Sequence, residues 1–155
     1  MSVKITEMLD PAAIVVDLLA GSKDAVLSEL TDALLAANPG LSRGEVLRVL
    51  QERERLGSTG IGDGVAIPHG KLKNLDRQLI AFGLSHAGVE FDAMDGKPAR
   101  LFFLLIAPED AAGAHLKTLA RISKLLKGSQ LRERLRDAGD QRQIHRIIAE
   151  EEEKL

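Results

Sequence analysis

The run Leu101-Phe102-Phe103-Leu104-Leu105-Ile106 constrains this chain more than any other segment. Side chains alternate across the two faces of a strand, so six consecutive apolar residues require cover on both sides. The flanks can supply it. Over residues 23–38, Val26, Leu27, Leu30, Leu34 and Leu35 recur at helical spacing, with Ser22 as N-cap and Asn38-Pro39-Gly40 as the stop. A second helix opens on the capping-box pattern Ser42-Arg43-Gly44-Glu45 and carries Val46, Val49, Leu50 and Arg53. Beyond Pro108 the periodicity predicts helices over 114–126, 131–138 and 141–150, the last capped by Asp140 and trailing into a solvated, fraying end at 150–153. Strands are expected at 12–19, 65–67, 79–85, 89–91 and 101–106, with a turn at 95–98. Helices on either side of a block of strands predict an α/β fold, a mixed β-sheet sandwiched by helices on both faces. A chain of 155 residues with 45% hydrophobic content suits one domain spanning 1–155.

Chemistry concentrates in residues 53–71. Gly57, Gly60, Gly62 and Gly64 free the backbone to turn tightly and aim N–H groups at an anion, and Ser58 and Thr59 add hydroxyl donors. The strand at 65–67 then delivers His69, with Pro68 holding Ile67 extended and Gly70 removing bulk after the imidazole. Presented this way, a histidine can act as a nucleophile toward phosphorus. Nucleotide loops do not fit: a P-loop ending at Gly70-Lys71 needs glycine where Val65 stands and Ser or Thr where Leu72 stands. A dinucleotide fingerprint from Gly62 meets Ile67 in place of its last small residue.

The remaining histidines differ in context. His86 and His145 read as surface or turn residues, since a pKa near 6.5 alone confers no role. His115 falls in the first turn of the helix after the most apolar strand, on one face with Leu119, Ile122 and Leu126, where the helix dipole favours a neutral ring. Packing against the core would explain that position as well as a role in catalysis would. Arg53 and Arg55, just before the glycines, offer a guanidinium fork to a phosphoryl group.

Composition narrows the partners. Net charge is −2, and with no Trp or Tyr and four Phe there are few platforms for stacking bases, so nucleic acid is excluded as an expected ligand. The absence of cysteine removes disulfides, thiol catalysis and cysteine-based zinc sites. No signal-peptide pattern opens the chain and no apolar run approaches the ~20 residues of a membrane span, so a soluble cytoplasmic protein is expected.

The Arg-Glu-x-x-Gly-Ser-Thr-Gly-Ile-Gly loop, Ala66-Ile67-Pro68-His69-Gly70, Phe91-Asp92-Ala93 with Asp95-Gly96, the 101–108 strand and Ala114-His115-Leu116 occur in one order and spacing. In these residues the chain resembles the enzyme IIA components of the bacterial phosphoenolpyruvate-dependent phosphotransferase system, in the mannitol/fructose-like class. Residues 57–62 and Lys71 are similar to the nitrogen-regulatory branch, IIA-Ntr, and a domain of this length with no attached membrane or carrier module points the same way. The resemblance implies the mannitol/fructose-type enzyme IIA fold and a phosphotransferase component acting as a regulatory phosphocarrier. His69 would accept the phosphoryl group on Nε2, as tele-phosphohistidine, from a small histidine-containing phosphocarrier charged by an enzyme I. His115 would stabilise the group, Arg53 would neutralise its charge, and Ser58 and Thr59 would surround it with hydroxyls. No cofactor or metal is implied, and the remaining partners would be regulatory target proteins. A transport alternative is a sugar-specific IIA passing phosphate to a IIB domain. A metal-dependent hydrolase using His69 and His115 as ligands lacks the HExxH or spaced carboxylates it would need.

Overall fold

In the computed structural model, which describes residues 4–155, the apolar run lies within β6 (Ala99–Pro108), buried throughout except for half-buried Arg100. Both edges of β6 are paired. On one it runs antiparallel to β5 (Leu79–Val89), with Leu79 opposite Ile106 and Phe82 opposite Phe103. On the other it runs parallel to β3 (Val65–Ala66) and β4 (His69–Leu72). β1 (Leu9–Val15) extends the sheet in parallel beyond β5, and β2 (Gly60–Gly62) closes the far side antiparallel to β3. The result is a six-stranded mixed sheet in the order β1-β5-β6-β3-β2, with β4 also beside β6.

Helices cover both faces. α2 (Lys23–Ala37) and α3 (Arg43–Arg55) pack on each other, α2 against β1 and β5 and α3 against β4. α4 (Ala112–Leu125), α5 (Ser129–Asp137) and α6 (Gln141–Glu152) lie against β6, β5 and β1 respectively. Close approach of α2 depends on Gly83, where a Cβ would stand 2.7 Å from both Leu18 Cδ1 and Leu30 Cδ2. Phe82 and Phe103 meet edge to face at 4.9 Å in the fully buried centre, and each such side chain contributes roughly 1.5–3 kcal/mol by leaving water.

Local signals formed as read at three helix starts. Ser22 Oγ accepts from Ala25 N at 3.3 Å, Ser42 Oγ from Glu45 N at 3.4 Å and Asp140 Oδ1 from Gln143 N at 2.8 Å, each cap typically contributing ~1 kcal/mol. The Ser42 box forms only its first half, because the Glu45 carboxylate turns to Arg48 Nη2 at 3.0 Å.

Three strand boundaries and the tail depart from the sequence reading. β1 occupies 9–15 instead of 12–19: Pro11 cannot donate to a ladder, but the strand is at the sheet edge and its register shifts between Leu9 and Ile14, which accommodates the ring. The segments 79–85 and 89–91 form one strand that ends at Val89, since the break expected at Ala87-Gly88 is absorbed as a bulge with Gly88 at φ 81°. The segment 65–67 continues past Pro68 into β4 in one register on β6, Ala66 facing Phe102 and His69 facing Leu105.

The 150–153 tail does not fray. α6 runs to Glu152, whose side chain is only 3% exposed and accepts from Ile5 N, from Thr6 N at 3.2 Å, from Thr6 Oγ1 at 3.0 Å and from Arg121 Nε at 3.0 Å. One carboxylate thereby ties the short helix α1 (Ile5–Met8) to α6 and α4. Removing it would leave several buried donors without partners. Glu152→Ala is expected to lower the unfolding free energy by about 3 kcal/mol, read from the urea midpoint at unchanged slope; a loss under ~0.5 kcal/mol would mean water replaces the carboxylate at no cost.

Candidate functional site

β4 is the edge that builds the site. Because side chains alternate, His69 and Lys71 project to one side of the strand and Gly70 to the other, toward α3. A Cβ on Gly70 would lie 2.8 Å from Val49 Cγ2, so only glycine lets α3 pack this closely on the strand that carries the histidine. A cleft of about 810 Å³ opens between the C-terminal half of α3, β4 and the first half of α4. Arg53, Arg55 and Lys71 line it against one acid, Glu52, while exposed Leu56 and Leu116 form apolar rims.

His69 Nδ1 lies 2.8 Å from the carbonyl oxygen of Ile67. A carbonyl can only accept, so Nδ1 carries the hydrogen and Nε2 keeps its lone pair. Burial is the main force depressing the His69 pKa below 6.5, aided by the positive charges of Arg53 and Lys71, while the Ile67 carbonyl and Glu54 act the other way. His115 stands edge-on to it, ring centroids 5.4 Å apart at 83°. Only 4% exposed, it is depressed further, to about 4, by burial first and then by His69 and Lys71. Its Nε2 is buried and has no partner within the protein among the described residues. Both rings are therefore neutral at physiological pH, one with a nucleophilic nitrogen and the other with an unused polar atom beside it.

Arg53 also lines the cleft and donates from Nη1 to the Gly57 carbonyl at 2.9 Å, which steadies its guanidinium at the mouth of the glycine loop. Ser58 and Thr59 are not among the residues lining the cleft, contrary to the expectation that their hydroxyls would surround a phosphoryl group. Ser58 Oγ donates to the Phe91 carbonyl and accepts from Gly60 N at 3.0 Å, while Thr59 Oγ1 donates to the Glu54 carboxylate. These hydroxyls brace the loop from inside. Sequence reasoning passed over Glu54, whose position in the last turn of a charged helix gave no sign of burial. His86 is exposed, and His145 is half-buried with Nε2 3.3 Å from Thr6 O, so neither approaches the cleft.

Residues 7–151 match the family described as phosphoenolpyruvate-dependent sugar phosphotransferase system, EIIA 2. The chain belongs to this family. It is 42% identical to a nitrogen regulatory protein of Bradyrhizobium diazoefficiens across 94% of both chains. With a fructose-specific EIIABC component of Bacillus subtilis it shares 37% identity over 94% of its own length and 23% of that protein's. Among solved structures, nitrogen regulatory protein IIA-Ntr from Neisseria meningitidis superposes with a TM-score of 0.86 at 38% identity, covering 93% of this chain and 98% of that one. The enzyme IIA fold and a phosphotransferase function follow from this membership, and no described helix is long and apolar enough to cross a membrane.

The histidine pair has a consequence for stability. His115 has a lower pKa folded than unfolded, so as pH falls below 6.5 the unfolded chain takes up a proton that the folded chain refuses. Stability is thus expected to decline between pH 6.5 and about 4. His115→Asn, which cannot titrate, should flatten that decline in thermal unfolding. An unchanged slope would assign the acid sensitivity to other groups.

Proposed function

We propose that this enzyme IIA domain is a regulatory phosphocarrier of a nitrogen-related phosphotransferase system, with His69 as its phosphoryl acceptor. The donor on this reading is a small histidine-containing phosphocarrier protein charged by an enzyme I, and the site of action is the cytoplasm. The observation that carries the assignment is the Ile67 carbonyl on His69 Nδ1, which leaves Nε2 as the nucleophile in a cleft lined by cations. The Nε2 lone pair forms a bond to phosphorus as the donor's N–P bond breaks, and its electron pair returns to the donor imidazole. A loose, metaphosphate-like transition state asks little covalent work of the protein, so positioning and charge dominate. His115 Nε2–H would donate to one phosphoryl oxygen and Arg53 would offset the charge, while Ser58 and Thr59 act as scaffold.

Phosphorylation adds about −1.5 to −2 charges to a neutral ring at the floor of the cleft. That change is large enough to alter which proteins dock on the cationic rim without refolding, which suits a regulator whose targets read its phosphorylation state. The nitrogen-related role is supported by the Bradyrhizobium and Neisseria relatives, which match over nearly their whole length. The Bacillus relative keeps the transport reading open, in which phosphate passes to a IIB domain.

His69→Ala incubated with phosphoenolpyruvate, enzyme I and the phosphocarrier should acquire no acid-labile phosphate, and retained labelling would overturn the acceptor assignment. Phosphorylated wild-type protein should not transfer to an isolated fructose-type IIB domain; rapid transfer would favour transport. Arg53→Lys should fold with stability within ~0.5 kcal/mol yet accept phosphate about tenfold more slowly, because a point charge cannot reproduce a bidentate fork. The exposed neighbour Arg55→Lys should be nearly silent, and a sensitive Arg55 with a silent Arg53 would reverse their roles.

A further inference from the structure

Three cations in the cleft suit a phosphoryl group, and one acid does not. Val49, Glu52, Arg53 and Leu56 recur at i, i+3, i+4 and i+7 along the end of α3 and form its cleft-facing stripe. Glu52 sits in that stripe, 53% exposed, between the valine that packs on Gly70 and the exposed leucine of the rim. The neighbouring acid Glu54 is turned beneath the glycine loop, where Thr59 N at 3.1 Å and Lys23 Nζ at 3.3 Å hold it. Glu52 is therefore the carboxylate that an incoming group meets, and it would repel a phosphoryl oxygen.

The helix itself gains little from this acid. Glu52 lies in the last turn of α3, where the dipole disfavours negative charge. Its partner in the helix is Arg48, with Nη1 3.0 Å from Oε1. The cation precedes the acid there, which is the weaker order for a pair four residues apart. Arg48 also binds Glu45, Nη2 to Oε2 at 3.0 Å, so Glu52 can turn away without stranding a charge. Both members of the Arg48–Glu52 pair are about half exposed, and water screens such a contact. The carboxylate is thus held loosely and is free to take a better partner.

We propose that Glu52 is a specificity-determining residue for the phosphoryl donor, receiving a lysine or arginine side chain that flanks the donor's phosphohistidine. A surface that carries about −1.5 to −2 charges on one histidine is stabilised by a cation beside it. As the phosphoryl group passes to His69, that cation loses its partner at the mouth of the cleft. Glu52 stands there to pair with it, and Leu56 and Leu116 cover the apolar surface around it. A cleft lined by cations alone would attract the phosphoryl group and repel the positive side chain that accompanies it. One acid on the rim gives each a complementary charge. A small phosphorylated metabolite, which brings no such cation, gains nothing from Glu52, so the residue favours a protein donor over free phosphoryl compounds.

Donor selection by Glu52 rests on the reading of His69 as acceptor from a phosphocarrier protein, but docking can be measured without transfer, so the two ideas fail separately. Glu52→Gln should raise the KM for the phosphorylated phosphocarrier about fivefold and Glu52→Lys about twentyfold, with kcat little changed. Phosphorylation by phosphoramidate, which brings no protein surface, should not slow, since loss of an acid leaves the cleft more cationic. Salt at about 0.5 M should bring the wild-type and Glu52→Gln KM values together, because screening removes the attraction. Arg48→Ala frees the carboxylate and should lower the KM. A wild-type KM in folded Glu52→Lys, an equal loss with phosphoramidate, or a rise in Arg48→Ala matching that of Glu52→Gln would overturn the proposal. In a His69→Ala background, chemical-shift titration with unphosphorylated phosphocarrier should show weakening of about fivefold on adding Glu52→Gln. That weakening in a protein still labelled after His69→Ala would keep the docking role and reject the acceptor. Docking indifferent to Glu52, in a protein that loses its label with His69, would do the reverse.

Discussion

Parallel pairing of β4 with β6 is the constraint on which the rest of the molecule depends. It sets His69 opposite Leu105, at the edge of a sheet whose central strand is buried on both faces, and so fixes a polar side chain against the most rigid part of the fold. Everything that defines the site is measured from that edge. α3 reaches it because Gly70 has no side chain, and α4 reaches it because the chain leaves β6 at Pro108 and turns back within a few residues. Burial of the sheet stabilises the scaffold by the usual apolar transfer. The register decides which imidazole ends up in the cleft.

Within that frame the chemistry is one of neutrality among cations. Desolvation keeps both histidines uncharged, with Arg53 and Lys71 adding to it at His69 and Lys71 at His115, so the site presents a nucleophile and fixed positive charge at the same pH. In water, an imidazole near 6.5 would lose part of its nucleophilic population to protonation in mildly acidic conditions. The fold moves that loss to lower pH and accepts in exchange a sensitivity of stability to acid. Arg53 serves both parts of the design, since the bond that steadies its guanidinium also caps the Gly57 carbonyl of the loop.

The two ends of the chain illustrate a different use of a buried carboxylate. Glu152 gathers donors from α1 and α4 and joins the first described helix to the last, whereas Glu54 gathers them from the glycine loop. Each sits in the last turn of a helix, against the dipole, and each is satisfied by backbone N–H groups as well as a cation. Acid runs at helix ends invite a reading as solvated surface. At Glu152 that reading fails, because burial depends on which distant donors arrive.

Periodicity determined much of this protein. The apolar run at 101–106 required a sheet covered on both sides, the N-caps Ser22, Ser42 and Asp140 marked helix starts, and the glycine loop with Pro68-His69-Gly70 singled out the nucleophile candidate, because these signals are local and act over a few residues. Ser58 and Thr59 show the limit: their identity suggested ligands, but the direction of a hydroxyl depends on what lies across the loop, and here Phe91 and Glu54 lie there. The strand at 79–89 and the anchored tail were equally unreadable, since a bulge or a buried carboxylate is defined by residues far away in sequence. Only the tertiary structure brought His115 within 5.4 Å of His69, placed Glu54 under the loop and left Arg53 at the cleft, because those relations are set by how α3 and α4 pack on either side of one strand edge.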